Sequence, residues 1–349
     1  MLLSRPKFAL IGHPVDLPLF KSYINFLKPG KMFRDELILK LFEWTPAYKA
    51  NDWDNVSLDG KIFGDGILVM VPFLPEMRDI KLAAVIKKVE DAISIAAAEG
   101  CRVAALGAFT SIVLQGKEEE LSKKYNITLT SGNTTTAALI VRSIEDLVQR
   151  FDRSLANETI AIIGASGDIG TGVSLWFAQK AKKLILTARN NDILQQTALK
   201  NRENYPCEIS LTSDNTVAMK ASSIVIFVTS AYTTLCSDTD FNAGTIVCDA
   251  SAPLNVKING TPRTDITLYH GGIAKLPCQL DPGFNIGLAA PDHMYGCMTE
   301  GMLMAFNHNL PPSHGRGNIT ILKIKKYIDE IERYAIRPAY SSGTATLFA

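Results

Sequence analysis

Cys297 stands in a segment whose residue types could turn a thiol into a nucleophile. Pro291 and Asp292 are favoured in the first turn of a helix, and a helix over Asp292–Asn307 is predicted. On that helix His293 precedes Cys297 by four residues and shares its face, and a thiol–imidazole contact generates the thiolate that attacks carbonyl carbons. The thiol would lie about two turns in, too deep for the helix dipole alone to lower its pKa. On spacing alone, a buried inert cysteine and a surface histidine remain the alternatives.

A run of glycines follows a short apolar segment near the middle of the chain. Thr159–Ile163 is continuously apolar after its first residue, which predicts a strand buried on both faces. Gly164, Gly167 and Gly170 come next, and an apolar-periodic helix follows them. Such glycines allow a tight turn, the approach of backbone amides to a pyrophosphate, and close packing of the helix on the strand. The pattern predicts a dinucleotide site, with a plain strand–helix turn as the alternative.

The end of the next predicted strand bears on the choice of nicotinamide cofactor. An NAD site usually carries an acid there, whereas this chain has Thr187 and Arg189 and no acid. Because a guanidinium binds a 2′-phosphate bidentately, the prediction is NADPH, with a merely solvated arginine as the alternative. The residues predicted to bind the cofactor are Gly164, Ser166, Gly167, Asp168, Ile169, Gly170, Thr187, Arg189, Asn190 and Thr229.

Segments with strand character alternate with helical segments along most of the chain, which predicts an α/β fold with mostly parallel sheets. A polar break around Asp152–Glu158 separates two such series. We therefore predict an N-terminal α/β substrate domain (1–152), a Rossmann NADP-binding domain with a parallel sheet (153–290), and a C-terminal helical segment that carries Cys297 (291–349). The predicted strands are 8–11, 62–71, 103–109, 127–130, 159–163, 183–188, 223–229, 245–249 and 266–270, and the predicted helices are 81–99, 134–151, 168–181, 292–307 and 319–334.

The composition argues against several classes of protein. Hydrophobic residues make up 47% and charged residues 20%, as in ordinary globular proteins, and a net charge of +1 gives no bulk attraction to nucleic acid or to an anionic membrane. No apolar run is long enough to cross a bilayer, and Met1–Lys7 is too short and polar for a secretory signal, so a cytoplasmic location is expected. The six cysteines form no CxxC pair and no zinc-spaced cluster with histidine, so we expect free thiols and no metal site.

Eight segments along the chain form one ordered set: Phe8–His13, Phe73–Met77, Ala105–Ile112, Gly132–Ala137, Gly164–Gly170, Leu184–Asn190, His270–Gly272 and the segment around Cys297. Together they resemble the cyanobacterial-type long-chain acyl-[acyl-carrier-protein] reductases, which make fatty aldehydes from acyl thioesters with NADPH. The resemblance implies that Cys297 is the reactive cysteine and forms an acyl-enzyme. It also implies acyl carrier protein or acyl-CoA as the substrate carrier, and an aldehyde-consuming enzyme as a further candidate partner.

Two requirements follow from that resemblance. The oxyanion needs hydrogen-bond donors, for which backbone amides near Cys297 and the hydroxyls of Thr134–Thr136 are candidates. An acyl chain needs an apolar tunnel; the candidates, for which ordinary core is the preferred interpretation, are Val69, Val71, Phe73, Leu74 and Met77. Two other functions stay open: a non-covalent oxidoreductase of the shikimate-dehydrogenase kind, and a non-catalytic NADPH-sensing protein.

Overall fold

The computed structural model describes residues 5–21, 34–75, 77, 80–315, 317–342 and 345–346. The chain divides into two compact units, each made of segments that are separate in sequence. Unit 1 comprises Met1–Gly132, Ala274–Gly315 and Glu330–Ile336, and unit 2 comprises the rest. The predicted domain ranges differ from this division, because the helix after Gly132 belongs to unit 2 and the Cys297 segment belongs to unit 1. Glu76, which falls in one of the eight motifs, lies outside the described residues.

Strands and helices alternate along the described residues, and each predicted strand is found close to its predicted bounds. The strands are β1 (Lys7–Gly12), β2 (Tyr48–Val56), β3 (Gly64–Met70), β4 (Val103–Leu106), β5 (Thr128–Thr130), β6 (Thr159–Ile163), β7 (Lys183–Thr187), β8 (Glu208–Leu211), β9 (Ile224–Phe227), β10 (Cys236–Ser237), β11 (Ile246–Asp249), β12 (Val256–Lys257), β13 (Thr267–His270), β14 (Ile273–Lys275), β15 (His293–Tyr295), β16 (Arg337–Pro338), β17 (Ser341–Ser342) and β18 (Ala345–Thr346).

The helices of the described residues connect and cover these strands. They are α1 (Asp35–Trp44), α2 (Leu82–Ala98), α3 (Phe109–Val113), α4 (Glu118–Tyr125), α5 (Asn133–Arg150), α6 (Asp168–Phe177), α7 (Asn191–Asn204), α8 (Asn215–Lys220), α9 (Gly296–Phe306) and α10 (Ile321–Arg333). Among the described residues, no helix is both long and apolar enough to span a membrane.

The sheet of unit 1 has five strands in the order β2-β3-β1-β4-β5. All neighbours are parallel except β2, which pairs antiparallel with β3, so the sheet is mixed. One face packs on α2 and α4 through a core that includes Ile11, Val69, Val89 and Leu129. Helix α9 packs on β1, β4 and β5. A Cβ atom on Gly301 of α9 would lie 2.7 Å from the Cβ of Ala105 in β4, so the glycine permits the close approach of this helix to the sheet.

The sheet of unit 2 has six parallel strands in the order β13-β11-β9-β6-β7-β8. Renumbered within the unit and read from the β8 edge, this is the order 3-2-1-4-5-6 that defines the Rossmann fold. The strand order reverses between β6 and β9, and such a point is where dinucleotides bind, outside the carboxyl ends of the strands. The predicted α/β class, with a Rossmann unit, is confirmed.

Candidate functional site

Cys297 is the second residue of α9, and this differs from the sequence prediction. The predicted helix was to begin at Asp292, but His293–Tyr295 are extended as β15, and the helix begins only at Gly296. The thiol therefore lies in the first turn, where unpaired backbone N–H groups and the positive end of the helix dipole stabilise a thiolate. The prediction that Cys297 lies two turns inside the helix is wrong. In its observed place the helix start can stabilise a thiolate, which the predicted place could not.

Gly132, two residues after the end of β5, lies against the backbone of the candidate nucleophile Cys297. Thr130 ends that strand, and Gly132 two residues later has φ +69°. A Cβ atom on Gly132 would lie 2.1 Å from both the Cα and the carbonyl oxygen of Cys297. Because neither the space nor the backbone conformation suits a side chain, glycine is required where the sheet edge meets the first turn of α9.

Burial and hydrogen bonding act in opposite directions on the Cys297 thiol. Burial raises its pKa to about 11, while backbone N–H groups of Ala108 and Met298 donate toward the sulfur and lower it. The carboxyl group of Glu300, one turn along the same helix, is a smaller cause of the raised pKa. The resting thiol is therefore protonated at neutral pH, and a thiolate forms at Cys297 only with loss of that proton.

Glu300 joins α9 to the sheet. It is completely buried and accepts hydrogen bonds from the hydroxyl of Thr130, the last residue of β5, and from the backbone N–H of Ser313 at 3.1 Å. The same Ser313 N–H lies 3.0 Å from the Thr130 hydroxyl oxygen, so the three residues form one buried cluster. A buried network whose members bond one another restricts movement of the helix segment that carries Cys297.

The turn that follows β4 lies beside the Cys297 sulfur. Gly107 is followed by Ala108, which has φ +49° and ψ −123°, and then by Phe109 at the start of α3. The N–H of Phe109 donates to Nε2 of His13 at 3.2 Å, and Nδ1 of His13 lies 2.7 Å from the carbonyl oxygen of Pro14. Burial lowers the pKa of His13 to about 4. His13 is thus neutral at physiological pH and follows β1 at the same sheet edge.

A narrow cleft in unit 1 borders the segment that carries Cys297. It has a volume of about 60 Å³, enough for a few water-sized groups, and its walls include His13, Leu68, Met70, Tyr295 and Met298. The last two flank Gly296 and Cys297. The tunnel residues considered from the sequence lie elsewhere, because Val69, Val71 and Phe73 are buried in the core beneath α2 and Leu74 is buried beside α1.

His293 does not share a helix face with Cys297, because it lies on β15. Its side chain is buried, Nε2 is 3.9 Å from a carboxylate oxygen of Asp292, and Nδ1 has no hydrogen-bond partner among the described residues. Burial lowers its pKa, and the charges that act on it are those of Asp292 and Lys275. The predicted imidazole partner for the thiol on one helix face is therefore wrong.

The glycine turn of unit 2 has the form that the sequence predicts. Gly164 has φ +95°, and a Cβ there would lie 2.7 Å from the carbonyl oxygen of Val228, at the end of β9. A Cβ on Gly170 would lie 2.4 Å from the carbonyl oxygen of Gly164, so this glycine allows α6 to pack against the turn. Gly167 is the N-cap of α6, and because it has no side chain it does not cover the N–H groups in the first turn of that helix. The turn lies where the strand order reverses and fits a pyrophosphate, which backbone amides bind at such helix starts.

The remaining turn residues line the start of α6. Ser166 and Ile169 are half-buried there. The carboxylate of Asp168 accepts hydrogen bonds from the Asn133 side chain at 3.1 Å and from the Gly317 N–H at 3.2 Å. Asp168 thus ties the glycine turn to two other segments of unit 2.

Three of the other predicted cofactor residues have structural partners. The carbonyl oxygen of Thr187 accepts the N–H groups of Gly164 and Ala165, both at 2.9 Å, and its hydroxyl donates to Asn215. Asn190 is the N-cap of α7, where its side chain accepts from the Ile193 N–H. These two residues therefore hold the carboxyl-terminal edge of the sheet in place through hydrogen bonds of both backbone and side chain. Arg189 is exposed, with a 3.4 Å contact to the Ser230 hydroxyl, and its guanidinium can reach solvent or a ligand.

Thr229 follows β9 and contacts the glycine turn, since a Cβ on Gly164 would lie 3.1 Å from its methyl group. Its hydroxyl donates to Asn255 at 2.5 Å. Asn255 belongs to a loop whose N–H groups donate to the buried Asp249 carboxylate, the last residue of β11. Burial raises the pKa of Asp249 to about 6, although these hydrogen bonds lower it. The loop is therefore held by a carboxyl group that titrates near neutral pH.

Gly132 was expected from the sequence to face a ligand cleft, because it follows a predicted strand of the first domain. His13 had no role in the sequence argument beyond its place in a segment that carries the family resemblance, and its position just after a predicted strand is a signal that could have drawn attention to it. Ala108 offered no signal, because nothing in an alanine indicates a positive φ. The hydroxyls of Thr134–Thr136, considered as oxyanion donors, are buried in α5 of unit 2.

Together these features define an α/β protein that pairs a Rossmann unit with a unit bearing a cysteine at a helix start. No protein-family profile matches the chain. It is distantly homologous to the long-chain acyl-[acyl-carrier-protein] reductase of Synechococcus elongatus, at 29% identity in an alignment 353 residues long, gaps included, which covers 95% of this chain and 98% of that protein.

A second relative is the aminotransferase PigE of Serratia sp., at 23% identity over 316 residues. The match covers 86% of this chain but only 36% of PigE, so the chain spans about a third of that protein. Among solved structures, the shikimate 5-dehydrogenase of Listeria monocytogenes is 11% identical with a TM-score of 0.33, over 74% of this chain and 87% of that one. That likeness is too low to bear on activity.

Proposed function

We propose that this protein is an NADPH-dependent reductase that converts acyl thioesters of acyl carrier protein or CoA to aldehydes through an acyl-Cys297 intermediate. The observation that carries the proposal is the setting of Cys297 in the first turn of α9, with N–H groups of Ala108 and Met298 directed to its sulfur. The name of the Synechococcus elongatus relative, which aligns over nearly the whole chain, supports the same reaction.

The residues of unit 1 account for the acyl-transfer half. The Cys297 sulfur attacks the thioester carbonyl carbon and loses its proton, the C–S bond to the carrier breaks, and the carrier sulfur leaves as the thiol once it takes up a proton. Backbone N–H groups at the start of α9 stabilise negative charge that develops near the sulfur. The apolar cleft beside Tyr295 and Met298 receives the first carbons of the acyl chain.

Unit 2 accounts for cofactor binding. The turn Gly164–Gly170 binds the pyrophosphate through backbone amides, and Arg189 binds the 2′-phosphate that distinguishes NADPH from NADH. When bound, NADPH supplies the hydride that reduces the acyl-cysteine to an aldehyde. Release of the aldehyde breaks the C–S bond, and Cys297 regains its proton.

The test is to incubate the protein with a panel of acyl thioesters in the absence of NADPH and to map acylated residues by mass spectrometry. We expect one acyl group on Cys297, none in Cys297→Ser, and full acylation in Cys278→Ser, since Cys278 is the other partly exposed cysteine. Aldehyde formation at an undiminished rate in Cys297→Ser would refute the covalent mechanism and favour a non-covalent oxidoreductase.

A further inference from the structure

The turn Gly107–Phe109 holds an alanine in a conformation that suits glycine. Ala108 has φ +49° and ψ −123°, a region in which a residue with a side chain is strained and stays only where its surroundings hold it. The turn is in contact with the nucleophile's helix, because a Cβ on Gly107 would lie 2.9 Å from the methyl group of Met298. The strained residue is also the one whose N–H is directed at the Cys297 sulfur.

Hydrogen bonds hold the turn on both sides of Ala108. The N–H of Gly107 donates to the carbonyl oxygen of Ile11 at 2.8 Å, and the carbonyl oxygen of Gly107 accepts from the Thr110 hydroxyl at 2.8 Å. On the other side, the N–H of Phe109 donates to Nε2 of His13. His13 is the side chain that fixes the peptide directly after Ala108.

The two hydrogen bonds of His13 determine where its proton lies. A carbonyl oxygen only accepts, so Nδ1 carries the proton and donates to Pro14, while Nε2 must accept from the Phe109 N–H. The ring packs against Phe73, with centroids 4.7 Å apart, and against Phe109 at 5.9 Å. An imidazolium could not accept the Phe109 N–H, and the lowered pKa of about 4 keeps the ring neutral over the working range of pH.

We propose that His13 is a positioning residue for Cys297: through Nε2 it fixes the turn Gly107–Phe109, so that the Ala108 N–H is directed at the sulfur and stabilises the thiolate. This inference rests on the proposed function only in taking Cys297 as the nucleophile. His13 acts through the turn and exchanges no proton with the substrate.

The test is the pH dependence of Cys297 alkylation by iodoacetamide, followed by peptide mass spectrometry in the native protein. His13→Leu keeps an apolar side chain against Phe73 but removes the acceptor, whereas His13→Gln keeps an acceptor. We expect His13→Leu to lower the alkylation rate at pH 9 about tenfold and to move the thiol midpoint to higher pH, as for loss of one hydrogen bond to a charged group. His13→Gln should stay within about threefold of wild type, and His308→Leu, at an exposed histidine of unit 1, should not differ from it.

Glu300 on α9 and Tyr295 on β15 are the ionisable groups that interact electrostatically with the Cys297 thiol, and all variants retain them.

Three outcomes would each overturn the inference. They are an unchanged pH profile of alkylation in His13→Leu, an equal loss of alkylation rate in His13→Gln, and a native Cys297 that does not react. The readout needs neither acyl thioester nor NADPH. A protein that alkylates as expected but is never acylated would contradict the proposed function and leave the role of His13 standing.

A second measurement needs no variant. Ring-nitrogen NMR of the native protein should show His13 as the neutral Nδ1–H tautomer, without titration between pH 5 and pH 8. An Nε2–H tautomer would also overturn the inference, because that nitrogen could not then accept the Phe109 N–H.

Discussion

Replacing Gly132 with alanine tests the geometry at Cys297 most directly. The new Cβ would lie 2.1 Å from the Cα and carbonyl oxygen of Cys297, and ordinary contact begins at 3.4 Å, so the two backbones must move apart by about 1.3 Å. The positive φ of Gly132 adds about 1–2 kcal/mol for an alanine, and overpacking of a buried contact costs about 1–3 kcal/mol. We therefore expect the free energy of unfolding to fall by about 2–5 kcal/mol.

The same displacement moves Cys297, the proposed nucleophile. A shift of about 1 Å at a reacting group can cost roughly 100-fold in rate, so acylation of Cys297 should slow by about that factor. Gly100→Ala is the matched control, because Gly100 also has a positive φ, of +79°, but no atom lies within 4 Å of a Cβ there. Urea unfolding and single-turnover acylation measure the two effects. Equal losses of stability in both variants, with unchanged acylation in Gly132→Ala, would refute the reasoning.

Three further predictions concern strain, pH and cofactor choice. Ala108→Gly removes about 1–3 kcal/mol of strain and adds about 0.5–1 kcal/mol of unfolded-state entropy, so urea denaturation should show a gain near 1 kcal/mol, and a clear loss would argue against strain. Folding raises the pKa of Asp249 from 3.8 to about 6, so the stability this carboxyl contributes is full below pH 4 and is lost as the pH rises through 6. Between pH 4 and pH 7 that loss is roughly 2 kcal/mol, and the difference in unfolding free energy between wild type and Asp249→Asn should change by that amount; a pH-independent difference would contradict it. Arg189→Ser should weaken NADPH binding at least about tenfold in a fluorescence titration and leave NADH binding unchanged, whereas equal weakening of both would remove Arg189 from the 2′-phosphate site.

The Rossmann unit was predictable because its signals are local. The apolar run Thr159–Ile163 is buried on both faces, and Gly164 and Gly170 each have a steric reason to be glycine. Strand β2 was missed because it pairs only with β3 at the sheet edge, and Trp53 and Val56 are its only buried residues. An edge strand that faces solvent lacks the apolar pattern from which a buried strand is recognised.

The segment that carries Cys297 shows where local signals fail. Pro291 and Asp292 are sound helix-start residues, yet the chain stays extended through Tyr295 before α9 begins. Contacts between residues distant in sequence determine where α9 begins, because Gly132 packs against Cys297 and Ala105 packs against Gly301. Those contacts also fix the position of the Cys297 backbone, and no window of neighbouring residues contains them.

Helix α9 has a consequence for the order in which the molecule is made. The five strands of the unit 1 sheet are complete at Thr130, but the helix that packs on β1, β4 and β5 begins about 160 residues later. At ordinary rates of translation, roughly 10 to 30 s pass between synthesis of that sheet and synthesis of the helix that covers it. Apolar surface of the sheet stays exposed during this interval, and chaperones bind such surface. Cys297, the proposed nucleophile, lies on the same helix, so an unfinished chain would lack the site that the proposed acylation requires.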